Sequence, residues 1–242
     1  MNNKEIYLYL HAKNGGGSTE AKETLKALID KTIASIDIPN GVTKIGGYLF
    51  HNCTNLASVT IPDSVTSIEA WAFNGCSSLT SVTIPDSTTN VGIGAFYVCR
   101  NLTSIKISNN VTSIENYTFF QCWNLTNIKI PNNVTNIGKS AFYDCRKLTN
   151  VTIPNSVTNV ESDAFLNCTL LENVTLENGF ACNGLNLSSS TKFSVDTMIA
   201  MFNALADRTG LSAYTLTLGN TNLAKLTNEQ IAVATQKNWT LA

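Results

Sequence analysis

Seven cysteines and two histidines are the side chains of this 242-residue chain that could support thiol or metal chemistry. A cysteine beside a histidine can become a nucleophile, clustered cysteines and histidines can bind zinc, and pairs of cysteines can form disulfides. The sequence contains no C-x-x-C, H-E-x-x-H or Gly-rich nucleotide-binding motif, so no cofactor is expected. His51 and Cys53 are two residues apart and form the one thiol–imidazole pair that is close in sequence.

The positions of the cysteines indicate a structural role instead. All but Cys182 recur with a 23-residue period, and phenylalanines and leucines recur three residues before and after them. A fixed short period means that each unit buries its apolar face against its neighbours. The periodic cysteines are therefore predicted to be reduced core residues with inert thiols, each able to donate its S–H to a turn carbonyl. The three columns are Cys53, Cys76, Cys99, Cys122, Cys145 and Cys168; Phe50, Phe73, Phe96, Phe119, Phe142 and Phe165; and Leu56, Leu79, Leu102, Leu125, Leu148 and Leu171.

Charge and hydropathy exclude two classes of partner. Sixteen Lys and Arg residues balance seventeen Asp and Glu residues to a formal net charge of −1, and no run of basic residues occurs, so nucleic-acid binding is not expected. No window approaches 18 apolar residues, so no membrane insertion is expected. The first residues, MNNKEIYLYLHAKNGGG, lack the features of a signal peptide. A cytoplasmic or particle-associated location therefore stays open.

Each 23-residue unit contains one segment with strand character. The copies VTIPDSVTSI, VTIPDSTTNV and VTIPNSVTNV begin at Val59, Val82 and Val151, and each opens with β-branched alternation. Prolines follow five of these segments, where a missing N–H ends a ladder of hydrogen bonds. A unit of this length is too short for a strand and a long helix. The pattern predicts an elongated solenoid with one short parallel strand per repeat.

The stretch LTSVTIPDSTTNVGIGAFYVC at 79–99 resembles the repeat of the BspA-like (treponemal-type) leucine-rich repeat family. That repeat carries L-x-x-L-x-L-P, an apolar pair three residues apart, and A-F-x-x-C. The resemblance covers about residues 33–176, with small departures at Thr88, Ser108, Thr118 and Glu177. It implies a right-handed coil of 23-residue units, a short parallel β-sheet on the concave side, and helix-containing caps at both ends. It also implies a cell-surface or secreted protein of adhesion type.

The ends of the chain depart from the period and are predicted to be caps. Residues 1–32 combine an alternating strand pattern at 6–10 with a helix pattern after Ser18 or Thr19. Residues 33–180 form the solenoid, and residues 181–242 form a C-terminal cap continuous with it. In that cap the sequence predicts a helix from Ser194 closed by Gly210, a strand at 214–218, a helix at 227–237 with a Thr227/Gln230 capping box, and a strand at 238–242.

Two sets of positions are candidates for a ligand-binding surface. The columns after Phe and after Cys vary sharply between repeats, and their large residues are Tyr97, Arg100, Phe120, Trp123, Tyr143 and Arg146. We expect the rings of the Phe-following column to stack along one edge, with Trp123 between the two arginines; Tyr, Trp and Arg are enriched at binding hot spots. The alternative is the polar stripe on the concave face, with Lys106, Asn127, Lys129 and Asn150. That stripe could equally be a solvated sheet face.

The sequence favours a non-catalytic binding scaffold for a protein, such as a host or extracellular-matrix protein, or for a glycan. The resemblance points to bacterial surface adhesion or protein–protein recognition. The alternative is a structural or assembly module of a larger particle, which the missing signal peptide favours. A hydrolase is a distant third because the residues show no recurring acid–base pair.

Overall fold

The structure is a computed structural model that describes residues 31–242. The strand predicted at 6–10 and the helix predicted after Ser18 or Thr19 lie outside the described residues. From residue 33 onward the chain winds as the predicted leucine-rich repeat solenoid, in which short parallel strands pair with their copies in the next 23-residue unit. The predicted fold class is confirmed.

One ladder of parallel strands forms the concave face. Ser35 lies opposite Ser58, Ser81 opposite Ser104, and Asn127 opposite Asn150, so copies of the strand pair in register within three small sheets of two, two and three strands. Ile36, Val82 and Ile128, the middle residues of three of these strands, are buried, and the residues on either side of each are exposed. The strands of this ladder are β1 (Ser35–Asp37), β3 (Ser58–Thr60), β5 (Ser81–Thr83), β7 (Ser104–Lys106), β9 (Asn127–Lys129), β11 (Asn150–Ile153) and β13 (Asn173–Leu176).

A second ladder runs beside the first and differs from the prediction of one strand per repeat. Each repeat forms another strand of two residues after its turn, and these strands pair in the same register within two sheets of three strands. Two residues are too short a segment for alternation to be visible in a sequence, and only pairing with the neighbouring repeat defines them. These strands are β2 (Lys44–Ile45), β4 (Ser67–Ile68), β6 (Asn90–Val91), β8 (Ser113–Ile114), β10 (Asn136–Ile137) and β12 (Asn159–Val160).

The core is a stack of identical side chains, one from each repeat. The rings of the Phe column lie face to face, with centroids 5.0 Å apart at Phe50–Phe73 and 5.8 Å apart at Phe96–Phe119. One continuous hydrophobic core extends from Ile33 to Trp239. Because every repeat covers the next, this burial stabilises strands that are too short to be stable alone.

The C-terminal segment adds helices and a three-stranded parallel sheet. Helix α1 (Val195–Ala204) begins at the predicted Ser194 cap, whose hydroxyl accepts a hydrogen bond from the Thr197 amide, and helix α3 (Asn228–Thr235) carries the predicted Thr227/Gln230 capping box. The short helix α2 (Asn220–Leu223) and strand β14 (Leu185–Asn186) were not predicted. The elements are β14 (Leu185–Asn186), α1 (Val195–Ala204), β15 (Tyr214–Thr217), α2 (Asn220–Leu223), α3 (Asn228–Thr235) and β16 (Trp239–Leu241).

Helix α1 ends earlier than predicted. Leu205, not Gly210, terminates it with extended backbone angles, because the chain there pairs with Phe180. The Phe180 amide donates to the Ala204 carbonyl (3.1 Å), and the Ala206 amide donates to the Phe180 carbonyl (2.9 Å). The end of the helix is thus tied to the chain that leaves the last repeat. The domain boundaries at 32 and 180 stay a prediction.

Candidate functional site

The turn between the second strand and the cysteine positions the candidate edge. In this segment alternate amides donate to the next repeat, as Trp71 does to Ile93, Phe73 to Ala95 and Gly75 to Tyr97, each at 2.8 Å. The Phe side chain enters the core, and the residue that follows it turns outward. The edge therefore repeats with the same spacing as the core.

Tyr97, Phe120 and Tyr143 form a row of stacked rings on this edge. Adjacent centroids are 4.7 Å apart in both pairs, and the ring planes differ by 6° and 7°. All three side chains are half-buried, so their outer edges remain in contact with solvent. The three rings form the stack expected from the sequence. Because they cover one another, they are less exposed than isolated side chains on the surface would be.

The row continues through aromatic residues that the sequence reasoning missed. Trp71 lies edge-on to Tyr97 with centroids 5.3 Å apart, and Tyr48 stacks on Trp71 at 6.3 Å. Tyr117 contacts Phe120 edge-on at 6.0 Å. Tyr48, Trp71 and Tyr117 share one column, two residues before the core Phe, and that periodic recurrence was a signal in the sequence. We call Tyr48, Trp71, Tyr97, Phe120 and Tyr143 the aromatic ridge.

Tyr48 and Trp71 belong to the ridge despite a backbone conformation that disfavours them. Their φ angles are 58° and 61°, in the left-handed region, and Tyr117 has 61°. A large side chain there costs roughly 1–2 kcal/mol. Gly94 occupies the same column, and a Cβ added to it would come within 2.3 Å of the Trp71 ring. The glycine therefore makes room for the tryptophan.

A second group of residues, the Trp123 cluster, lies beside the ridge. The guanidinium carbons of Arg100 and Arg146 lie 4.2 Å and 4.9 Å from the centre of the Trp123 ring. Trp123 is half-buried, and both arginines are exposed. The structure thus brings the predicted Arg100, Trp123 and Arg146 together.

Asp144 organises the Trp123 cluster and was not identified from the sequence. Its side chain is buried and accepts two hydrogen bonds from Arg146, at 2.9 Å and 3.0 Å, and one from the Trp123 indole, at 3.2 Å. It also has a left-handed φ of 61°. This backbone conformation directs the carboxylate to its neighbours, and the sequence carries no signal of that direction. We define the Trp123 cluster as Arg100, Trp123, Asp144 and Arg146.

The asparagines of the alternative site on the concave face form hydrogen bonds between neighbouring repeats. Asn150 donates a side-chain hydrogen bond to Asn127, and Asn173 donates to Asn150 at 2.9 Å, so the amides form a ladder along the sheet. Lys106 and Lys129 are exposed on the same face. Half of the alternative set therefore supports the stacking of repeats.

The cysteines are buried where the sequence placed them. All seven are free thiols in the structure, and Cys76, Cys99, Cys122, Cys145 and Cys168 each lie 3.1–3.3 Å from a Phe carbonyl of the preceding repeat. Burial raises the pKa of the Cys168 thiol to about 12 and that of Cys182 to about 11. Burial also raises the pKa of Cys53, which opposes formation of a thiolate beside His51. Within residues 31–242, no group of three or more His, Cys, Asp or Glu residues could hold a metal ion.

A family profile described as the BspA type leucine rich repeat region matches the chain in six copies, over residues 26–145 and 89–200. Together these matches cover more than half of the chain. The chain belongs to the BspA-type leucine-rich repeat family. Proteins built from leucine-rich repeats of this kind are generally non-catalytic scaffolds that mediate protein interactions. No match was found among the curated proteins.

Solved bacterial structures resemble this BspA-type chain. A leucine rich cell surface protein from Faecalibacterium prausnitzii is 24% identical, with a TM-score of 0.43 over 66% of this chain and 65% of that one. A leucine-rich repeat protein from Bacteroides ovatus is 26% identical, with a TM-score of 0.40 over 77% and 56%. The T. pallidum leucine rich repeat protein is 19% identical, with a TM-score of 0.50 over 86% and 85%, and shows the same fold. The chain therefore spans less than two thirds of the first two proteins.

None of the helices between residues 31 and 242 is long and apolar enough to cross a membrane.

Proposed function

We propose that this protein is a non-catalytic recognition module that binds a protein partner through the aromatic ridge and the Trp123 cluster. The observation that carries the proposal is the continuous row of solvent-contacting rings from Tyr48 to Tyr143. The core is already filled by a separate stack of phenylalanines, so packing of the repeats does not require this second stack. Tyr, Trp and Arg at one site are the composition of an interaction hot spot.

The ring geometry favours a protein partner over a glycan. Sugars bind aromatic residues best when a ring face is open to them. In the ridge, both faces of Phe120 are covered by Tyr97 and Tyr143, and one face of Tyr97 meets Trp71. The outer edges and the tyrosine hydroxyls remain available, and these suit apolar and hydrogen-bonding contacts from a polypeptide.

Adhesion at a bacterial-type cell surface is the biological setting that we infer. Family membership supports it, because BspA-type proteins are typically surface proteins. Fractionation of the source cells, with antibody detection of the protein in each fraction, tests the setting. Recovery from the cytoplasm alone would contradict it and favour an assembly role instead.

The binding proposal is tested with purified protein against immobilised extracellular-matrix proteins and a glycan array. We expect a protein ligand whose affinity falls by roughly tenfold in the Tyr143→Ala variant, because one hot-spot ring contributes about 1.4 kcal/mol or more. Loss of stacking on Phe120 lowers the free energy of unfolding by about 1 kcal/mol, so the variant stays folded.

The matched control removes two exposed side chains from the alternative candidate site on the concave face. In the Lys106→Ala/Lys129→Ala double variant, affinity for the same ligand should stay within about twofold of the original protein. If this double variant loses binding while Tyr143→Ala retains it, the concave face is the site. A ligand found only on the glycan array would contradict the choice of a protein partner.

A further inference from the structure

We propose that the Trp123 cluster and Lys147 bind carboxylates of an acidic protein segment that lies along the aromatic ridge. This inference rests on the proposed function and names the chemistry of its partner. The cations of Arg100 and Arg146 and the anion of Asp144 lie together here, and Lys147 is the next residue in the chain after Arg146. Arg146 and Asp144 form an ion pair, which leaves two positive charges for a ligand.

Lys147 is held next to the cluster by the backbone. Its amide donates to the Trp123 carbonyl at 3.1 Å, and the Asn124 amide donates to the Arg100 carbonyl at 3.1 Å, so the chain segments that carry the cations are stacked on one another. Lys147 is exposed. An exposed cation on an ordered backbone can meet a carboxylate without reorganisation of the main chain.

The Arg100 guanidinium is oriented by its neighbours, and within residues 31–242 it has no ion-pair partner. Its contact with the Trp123 ring restrains the side chain, which is exposed and whose N–H groups make no hydrogen bond within the described part of the chain. Among residues 31–242, no carboxylate lies within ion-pair distance of Arg100. A planar guanidinium in this state suits a carboxylate, which it can bind with two parallel hydrogen bonds. Arg146 shows that geometry already, with Asp144 as the acceptor.

The charges on the other side of the ridge orient the partner. The column that precedes the aromatic residues carries Glu69, Glu115 and Glu161, and the next column carries Lys139. Lys44 pairs with Glu69 at 3.5 Å. Lys44 and Lys139 offset two of the three glutamates, so this flank keeps a net charge of about −1, and acidic side chains of a bound segment are therefore favoured on the flank with Arg100 and Lys147.

The length of the ridge matches an extended peptide. Rungs of a parallel stack are about 4.8 Å apart, so five rungs span roughly 20 Å, and an extended chain covers that distance in about six residues. Such a segment presents alternate side chains to the rings and to the cations. The partner is thus a short segment that combines aromatic or aliphatic residues with Asp or Glu.

The probe for this proposal is a phage library of random peptides of about 12 residues, long enough to span the ridge. The library is selected on the full chain, and selected peptides are synthesised for affinity measurements. Peptides that bind the Tyr143→Ala variant more weakly than the original protein are assigned to the aromatic ridge. We expect these peptides to be rich in Asp and Glu, and to bind roughly tenfold more weakly at high salt.

Charge reversal supplies the decisive comparison. Arg100→Glu/Lys147→Glu should weaken the ridge peptides by at least about tenfold, whereas Lys106→Glu/Lys129→Glu, with the same change in net charge on the concave face, should leave affinity within about twofold. Melting curves check that both variants fold.

Two results would overturn the inference in distinguishable ways. If the ridge peptides are neutral or basic, the partner is not acidic. The same conclusion follows if both charge-reversal variants lower the affinity of the ridge peptides equally. Either result leaves the proposed function standing. If no selected peptide depends on Tyr143, the aromatic ridge is not a recognition surface, and both proposals fail together.

Discussion

At the scale of single residues, the turns of this solenoid require left-handed backbone conformations. The residues at these positions differ in how well they tolerate positive φ. Two positions in each repeat have positive φ, and one of these columns contains Asn52, Gly75, Val98, Gln121, Asp144 and Asn167. Asn and Gly tolerate this conformation, while a β-branched residue does not. Val98, with φ of 56°, is the outlier of the column.

Replacement of Val98 by asparagine should stabilise the protein. Val98→Asn relieves the left-handed strain and is expected to raise the free energy of unfolding by about 1 kcal/mol, measured by urea denaturation. Val98→Thr is the control, because it keeps the β-branch and should give no gain. A loss of stability in Val98→Asn would mean that the half-buried valine contributes more by packing than it costs by strain.

The buried thiols should make the fold sensitive to alkali. Burial raises the pKa of Cys168 to about 12, whereas an unfolded thiol has a pKa of about 8.5. The unfolded state therefore loses its protons first, so the stability that the buried thiol contributes is complete below pH ~8.5 and is lost as pH rises toward ~12. At about pH 10 the loss for this residue is roughly 2 kcal/mol.

The measurement compares urea denaturation at about pH 7.5 and pH 10 with reductant present. Between the two pH values, the free energy of unfolding of the Cys168→Ala variant should fall by roughly 2 kcal/mol less than that of the original protein. Ionisation of tyrosine and lysine is common to both proteins, so the difference isolates the thiol. Equal losses in the two proteins would show that Cys168 ionises as easily in the folded state as in the unfolded state.

At the scale of elements, helix α1 depends on a side chain from outside it. The last carbonyls of a helix lack partners within the helix. Lys237, which follows α3, donates from Nζ to the carbonyls of Phe202, Asn203 and Leu205 at 3.1, 2.8 and 3.0 Å. One ammonium group thereby caps α1 and joins it to α3.

Lys237→Met should therefore weaken the C-terminal segment. Methionine keeps most of the apolar stem but leaves the three carbonyls without their charged donor, and we expect a loss of about 2 kcal/mol in the free energy of unfolding. Lys129→Met, at an exposed lysine, should change it by less than about 0.5 kcal/mol. Similar losses in the two variants would contradict the capping role.

At the scale of the whole molecule, stability comes from contacts between neighbouring repeats. Hydrogen bonds of the first ladder, the phenylalanine stack and the thiol contacts all join one repeat to the next. Such an array behaves as a sum of repeats and interfaces. Its length is therefore adjustable only in whole units.

Deletion of one complete unit tests this property. Removal of residues 58–80 joins Ala57 to Ser81, a pair that keeps the register of the repeats, and should yield a folded protein with cooperative unfolding and lower stability. The control deletes residues 58–74, which breaks the register and should leave the chain unfolded by circular dichroism. Unfolding of both variants would indicate that the repeats are not equivalent units.

The sequence alone determined the period, the buried columns and the fold. These followed from the periodic recurrence of Phe50, Cys53 and Leu56 in every unit, because a column that repeats at a fixed spacing must face a common core. The same logic predicted the stack of Tyr97, Phe120 and Tyr143, since the residue after a buried position lies at an equivalent place in every repeat. Local capping chemistry also predicted the start of α1 at Ser194 and the capping box of α3.

Tertiary structure alone decided which columns meet. Asn74 is the residue of the Trp71 repeat that is equivalent to Tyr97. The Trp71 ring nevertheless contacts Tyr97 in the next repeat, because a left-handed turn redirects the Trp71 side chain. The same conformation at Asp144 brings its carboxylate to Trp123 and Arg146. The end of α1 at Leu205 likewise depends on pairing with Phe180, which lies before the helix begins. Spacing in a sequence specifies which residues are equivalent, but contact between different columns depends on backbone dihedral angles that no periodicity encodes.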